Sequence, residues 1–364
     1  MFKNRKALAL LLVVCASVFY AQKKNKFAGS DTAAVVATPS HPVLWKDPQD
    51  ISTRDLLNGP GGPEHQPHQG FSYLEEDTNG TSIKFDVRDA DGVKWRVKLG
   101  PEARPETVTT RLVWAVGYST NEDYFLRDVH VDNMGKLKRK HADRFISATG
   151  DMHNARLKRM EEEKKTEQWA WRDNPFLGTR EFNGLRVMMA LVNNWDLKDV
   201  NNGIYRLKEK KHKKDKDGDA KSDDEKDEKS EKSDEALYEV SDLGASFGAP
   251  GIAWRFSRSK DNLDAYAHSK FITAVHGDSV DFATPGRPAM WDWVHPNDCW
   301  SRTFKLTAIG RRVPRADARW IGSVLARLSE DQIRSAFRAG GYSDEEAGAY
   351  TKVVMQRISD LNKL

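Results

Sequence analysis

Between Phe71 and Leu99 the chain alternates apolar and polar residues three times in quick succession, and this constrains its fold more than anything else in it. Phe71–Asp77, Ile83–Arg88 and Val93–Leu99 each carry the period of a strand. The first two are separated by the small, polar turn Thr78-Asn79-Gly80-Thr81-Ser82. The last two are joined by Asp89-Ala90-Asp91-Gly92, which has hairpin composition. Strands so close in sequence predict an antiparallel meander.

Helical signals follow. Pro105 suits the first turn of a helix whose apolar positions are Val108, Leu112, Val113, Ala115 and Val116, and Gly117 ends it. Tyr124–Val131 and Asn154–Leu157 read as further strands. Leu177–Trp195 predicts a long helix, with Phe182, Leu185, Val187, Met188, Leu191 and Val192 toward a core. Near the end, Ser329 with Gln332 and Ser343 with Glu346 have the capping-box pattern. They predict helices over 329–339 and 343–361, on either side of Gly340-Gly341. No internal repeat is visible.

Other stretches have a different character. Residues 1–21 begin with Lys3, Arg5 and Lys6 and continue as an uncharged, mostly apolar run from Ala7 to Ala21. That run is short for a spanning helix and normal for a secretory signal, so the reading is a signal peptide or a short anchor. Lipidation at Cys15 is disfavoured by the bulky Val14. The expected location is outside the cytoplasm: periplasmic, extracellular or membrane-anchored, with membrane contact only through that possible N-terminal anchor. Once the leader is removed, Cys299 is the one remaining thiol, which excludes an internal disulfide and a cysteine-based metal site. Residues 22–70 read as a linker and irregular lead-in, because Gly59-Pro60-Gly61-Gly62-Pro63 suits neither a helix nor a central strand. His65 and His68 in it read as solvated loop residues, with no third ligand nearby. Residues 208–235, Lys-rich and then acidic, have almost no apolar side chain and predict a disordered surface insertion. A net charge of +4 makes no case for a nucleic-acid partner, and none is expected. Trp291, Trp293, Trp300 and Trp320 read as core aromatics rather than a site.

Four features carry candidate chemistry. Lys98 ends the third strand. Pointing inward under a glycine-containing turn, such a lysine can pair with phosphate oxygens. Glu106, on the first turn of the next helix, can pair with Lys98 or simply complement the helix dipole. Asp196-Leu197-Lys198-Asp199-Val200-Asn201 follows the long helix. An Asp and an Asn at this spacing can share one reaction centre, the Asp taking a hydroxyl proton and the Asn binding a metal, while Lys198 reaches a transferred phosphate. Asp242-Leu243-Gly244 closes a strand with a carboxylate able to hold a phosphate-bridging cation.

In this order the four resemble the parts of the protein-kinase-like superfamily. Asp196 to Asn201 looks like the catalytic loop, and Asp242-Leu243-Gly244 resembles the metal-binding Asp-Phe-Gly. The N-terminal half is closer to the atypical branch of HipA-like and phosphatidylinositol 3-/4-kinase-like proteins. The likeness spans roughly residues 70 to 250. It implies an α+β, two-lobed fold, with an antiparallel β-rich N-terminal lobe over 71–160 and a mainly helical C-terminal lobe over 161–364. Gly203–Leu207 and Leu237–Val240 would form a hairpin with the charged insertion at its tip. It also implies ATP or another nucleotide with Mg²⁺ or Mn²⁺. Asp196 and Lys198 would be catalytic. Lys98, Glu106, Gly80, Thr81 and Ser82 would bind the nucleotide, and Asn201 and Asp242 the metal. The acceptor (protein, lipid head group, sugar or small molecule) is left open. The alternative expectation is an exported, catalytically inactive pseudokinase that binds a ligand or a protein.

Overall fold

A computed structural model describes residues 41–80, 82–160, 167–194, 196–206, 235–249, 259–283 and 309–364. The readings on the leader, Cys15, Cys299, Thr81, Trp195, Trp291, Trp293, Trp300 and nearly all of the charged insertion fall outside those residues. The fold contains both strands and helices and is α+β.

The expected meander is three-fifths of a closed barrel. β2 (Phe71–Asp77), β3 (Ile83–Arg88) and β4 (Lys94–Leu99) stand where the alternation places them. β5 (Asp123–Asp132) and β6 (Asp151–Arg159) complete the order β2-β3-β4-β6-β5. All neighbours are antiparallel except β2 and β5, which close the ring with the parallel pairs Phe71↔Val131 and Ser72↔Asp132. Phe71, Phe85, Val87, Trp95, Val97, Val131 and Leu157 fill the interior, as alternate residues on each strand must. β6 outruns the expected Asn154–Leu157 because β5 pairs with it from Asp123↔Lys158 to His130↔Asp151.

Helix α1 (Ala103–Ala115) leaves the barrel after Gly100, and all but two of its residues are buried. Val108, Leu112 and Val113 enter the helical core. Glu106, Thr110 and Arg111 are buried as well and are held by polar partners, as buried polar groups must be.

The remaining described elements build a second core. They are the hairpin β7 (Gly203–Arg206) and β8 (Glu235–Glu239), helices α2 (Arg180–Leu191) and α3 (Leu263–His268), strands β9 (Ile272–His276), β10 (Ser279–Phe282) and β11 (Val313–Pro314), and helices α4 (Arg315–Leu325), α5 (Glu330–Ala339) and α6 (Asp344–Asn362). Both capping boxes form as the sequence indicates. Phe247, Tyr266, Phe337, Tyr342 and Tyr350 make a contiguous aromatic cluster at this core, with ring centroids 5.1 to 6.1 Å apart.

Three differences from expectation have clear causes. Helix α2 begins at Arg180 and stops at Leu191, short of the predicted Leu177–Trp195. Thr179 caps its start. At its end Asn193 turns left-handed (φ 53°), its amide donating to Gly248 O and Ser269 Oγ while Arg357 donates to its side-chain oxygen. The described part of the lead-in is irregular but firmly packed: Leu44, Ile51 and Leu56 are buried, and the short strand β1 (His41–Val43) pairs in parallel with β8. Glu235, assigned above to the insertion, already belongs to β8. Trp320 lies half-buried between the Trp45 ring and the Arg180 guanidinium. His65 and His68 each face one carboxylate, of Glu122 and Asp91 respectively.

Candidate functional site

Lys98 lies on the outer face of β4, between the barrel-filling Val97 and Leu99, and is 2% exposed because it points toward α1. An ammonium at that depth is tolerated only if its hydrogen-bond donors are met. They are met by three carboxylates: Glu102 Oε2 at 2.7 Å, Glu106 Oε2 at 2.9 Å and Asp242 Oδ1 at 2.6 Å. Burial pulls the Lys98 pKa down, but these three charges outweigh it and hold the group firmly cationic.

Glu106 is positioned by the first turn of α1. Its other oxygen accepts from Arg156 Nη2 at 2.5 Å. Arg156 is the cross-strand partner of Lys98 in the β4–β6 register. Two like charges side by side on a sheet repel, and the Glu106 carboxylate between them turns that repulsion into a bridge. Burial raises the Glu106 carboxyl, but Arg156 and Lys98 outweigh it and keep it below its usual range. Beyond Arg156 lies Asp123, 3.6 Å away and bonded to Thr110 Oγ1. Burial raises its carboxyl despite the arginine.

Asp242 follows β8, and its backbone is left-handed (φ 56°). Leu243 and Phe247, just after it, are anchored in the helical core, so the carboxylate reaches Lys98 from the opposite side of the join. Gly244 is required by close approach: a Cβ there would lie 2.6 Å from Glu102 Cβ and 2.9 Å from Glu102 O.

The Asp196–Asn201 segment connects to this centre through its backbone. Ser241 Oγ, one residue before Asp242, donates to Asn201 O. Asn201 Nδ2 donates to Asp196 O at 3.2 Å, and Lys198 Nζ lies 2.6 Å from Asp196 Oδ2. Asp199 accepts from Trp171 N and pins the loop to the helical core. Across the site, Gly80 (φ 70°) shapes the β2–β3 turn. Arg139 donates to the Gly80, Thr78 and Asn79 carbonyls, and Ser82 Oγ donates to Glu102 Oε2 at 3.0 Å.

The sequence-derived residues Lys98, Glu106, Asp242 and Ser82 therefore gather in one network. Asn201, Asp196 and Lys198 adjoin it through Ser241. Thr81 lies outside the described residues. Sequence reasoning missed Glu102 and Arg156, which contact Lys98 and Glu106 respectively, and Lys260, which reaches the network through Glu102. The alternation at the end of β6, which puts Arg156 on the face opposite the barrel-filling Ala155 and Leu157, and the four-residue spacing from Lys98 to Glu102 were the available signals. Among the described residues, no three His, Cys, Asp or Glu side chains are arranged as a metal cage of their own, and no helix is long and apolar enough to cross a membrane.

Compared with protein-family models, with curated proteins and with solved structures, the chain matches none.

Proposed function

We propose that this protein is a kinase-like phosphotransferase, with the barrel and the helical core as its two lobes and the donor nucleotide bound between them. The observation that carries this reading is the contact of Lys98 with both Glu106 and Asp242. A strand lysine paired with a helix glutamate, beside an Asp that precedes an apolar residue and Gly, is the arrangement by which kinases hold donor phosphates and metal.

The donor set suits the implied metal. Asp242 offers a carboxylate, and Asn201, whose amide N–H is engaged by Asp196 O, offers its side-chain oxygen. Two hard oxygen ligands completed by substrate phosphates and water are what Mg²⁺ or Mn²⁺ takes in such sites. When bound, the metal would neutralise charge on the phosphates.

The chain's own residues supply positioning. Lys98 binds the donor phosphates and Glu106 orients it. Gly80 and Ser82 lie in the turn that covers them. An acceptor hydroxyl attacks the terminal phosphorus of the nucleoside triphosphate. The bond from that phosphorus to the bridging oxygen breaks, the nucleoside diphosphate leaves, and Asp196 receives the hydroxyl proton. Lys198, paired with Asp196, faces the transferred group. Export through the N-terminal leader belongs to the same proposal and is checked by sequencing the mature N-terminus of the secreted protein.

The test is transfer from ATP labelled on its terminal phosphate, with Mg²⁺ or Mn²⁺, to the protein itself, to added protein and small-molecule acceptors, or to water. Asp196→Asn should lower kcat by about 10²- to 10⁴-fold, the usual weight of a general base, while leaving KM for ATP nearly unchanged. Nucleotide binding without turnover in the unsubstituted protein, with every acceptor class tried, would instead select the pseudokinase reading.

A further inference from the structure

Glu102 is placed oddly for a residue at a helix start. It directly precedes α1, yet its side chain makes no capping bond to the helix. It turns instead toward three donors from three separate parts of the chain. Oε2 lies 2.7 Å from Lys98 Nζ and accepts from Ser82 Oγ at 3.0 Å, and Oε1 accepts from Lys260 Nζ at 2.5 Å. Burial raises its carboxyl, but Lys98 and Lys260 overcome this and hold it far below its usual range.

Two of these donors belong to the proposed donor site: the strand lysine and the serine of the covering turn. The third, Lys260, is new. It is held in place on both sides. Ser259 N and Asp261 N donate to Ala249 O and Ser246 O, and the Asp261 carboxylate accepts from Tyr342 OH at 2.5 Å. Lys260 is 28% exposed at its side chain, against 2% for Lys98. It therefore lies at the open side of the cluster, where a ligand would enter. Two ammonium groups and a hydroxyl converging on two oxygens make a cradle for a polyvalent anion, and in this structure the protein's own carboxylate fills it.

We infer that Glu102 is an internal stand-in for a donor phosphate group, and that Lys260 is a further phosphate-binding residue of the same subsite. The inference rests on the donor-site reading above. A polyphosphate carries more charge than the carboxylate and displaces it from Lys98, Lys260 and Ser82. Until then Glu102 engages Lys260 and Ser82 and is one of the three carboxylates on Lys98. The occupied state lowers apparent affinity by the fraction of molecules in which the cradle is closed.

The experiment uses the full chain and isothermal titration with two probes, ATP and inorganic tripolyphosphate, at fixed Mg²⁺ and low salt. Melting temperature is recorded for every variant. Glu102→Gln should bind both probes about tenfold more tightly, Lys260→Met about tenfold more weakly, and Lys260→Arg within about threefold of the unsubstituted protein. Binding by Glu102→Gln alone, with none by the unsubstituted protein, also supports the inference. A folded Glu102→Gln that binds ATP no more tightly than the unsubstituted protein, or an unaffected Lys260→Met, would overturn it while leaving the donor site intact. Tripolyphosphate binding with these variant effects but no ATP binding would keep the anion subsite and remove the nucleotide reading. Failure of every variant to bind either probe would remove both.

Discussion

Lys98 and Asp242 are 144 positions apart in the chain and 2.6 Å apart in the fold. The contact joins the barrel to the segment that anchors Leu243 and Phe247 in the helical core. Its strength depends on burial: at 2% exposure the ammonium cannot fall back on water. Lys98→Met would take one of two cations from each of the carboxylates of Glu102 and Glu106, leaving Glu106 to Arg156 and Glu102 to Lys260. Removing one partner of a buried ion pair costs about 3–5 kcal/mol, so urea unfolding should show a loss of that order. A loss below about 1 kcal/mol, the level of a surface pair, would contradict the burial described.

Glu106 makes the stability depend on acid. Its folded-state carboxyl lies below the ordinary value of 4.5, because Arg156 and Lys98 overcome burial. A depressed carboxyl contributes stability that is fully present above the unfolded value and lost as pH falls from there toward the folded one. Glu102 acts in the same direction. Unfolding free energy should therefore fall steadily below about pH 4.5. Glu106→Gln, though less stable at neutral pH, should show a shallower slope in that window. An unchanged slope would mean that Glu106 is not charged between its two cations.

Gly244 is tested by one methyl group. In Gly244→Ala the new Cβ meets Glu102 Cβ at 2.6 Å and its carbonyl oxygen at 2.9 Å, so α1 or the Asp242 loop must move. Overpacking of this kind costs about 1–3 kcal/mol. Because the strain falls on Glu102 and its neighbour Asp242, nucleotide affinity should drop as well. Thermal melting and titration of the same sample check both.

Arg139 should separate affinity from stability. It is a surface residue whose guanidinium gathers the Thr78, Asn79 and Gly80 carbonyls, while its backbone N–H and that of Lys138 donate to Glu76. Arg139→Ala should change unfolding free energy by no more than about 1 kcal/mol, as exposed contacts do. It should weaken ATP binding severalfold, because the covering turn loses its brace. A variant with unchanged affinity would take that turn out of the donor site.

Much of this arrangement could be read from local pattern. Alternation placed β2, β3 and β4, and with them Lys98 near the end of a strand, on the face opposite Val97 and Leu99. The serine and glutamine or glutamate spacings placed α5 and α6. What could not be read depends on distant partners. Barrel closure rests on the two pairs Phe71↔Val131 and Ser72↔Asp132, which leave no mark on either segment alone. Helix α2 stops where Gly248, Ser269 and Arg357 capture Asn193, three residues far along the chain. β1 is three residues long and exists only because β8 lies beside it. Nothing near Glu102 or Lys260 in sequence indicates that each lies beside the other.

Nucleotide-dependent thermal melting of the unsubstituted protein and of Asp242→Ala tests the central assignment most directly. With ATP and Mg²⁺ or Mn²⁺ at a hundred times the dissociation constant, a true donor site gains about 2.7 kcal/mol of stability. The unsubstituted protein should therefore melt measurably higher, and Asp242→Ala should lose most of the metal-dependent part of that rise. An unmoved melting temperature with every nucleotide and both metals, or an equal rise in Asp242→Ala, would contradict the account.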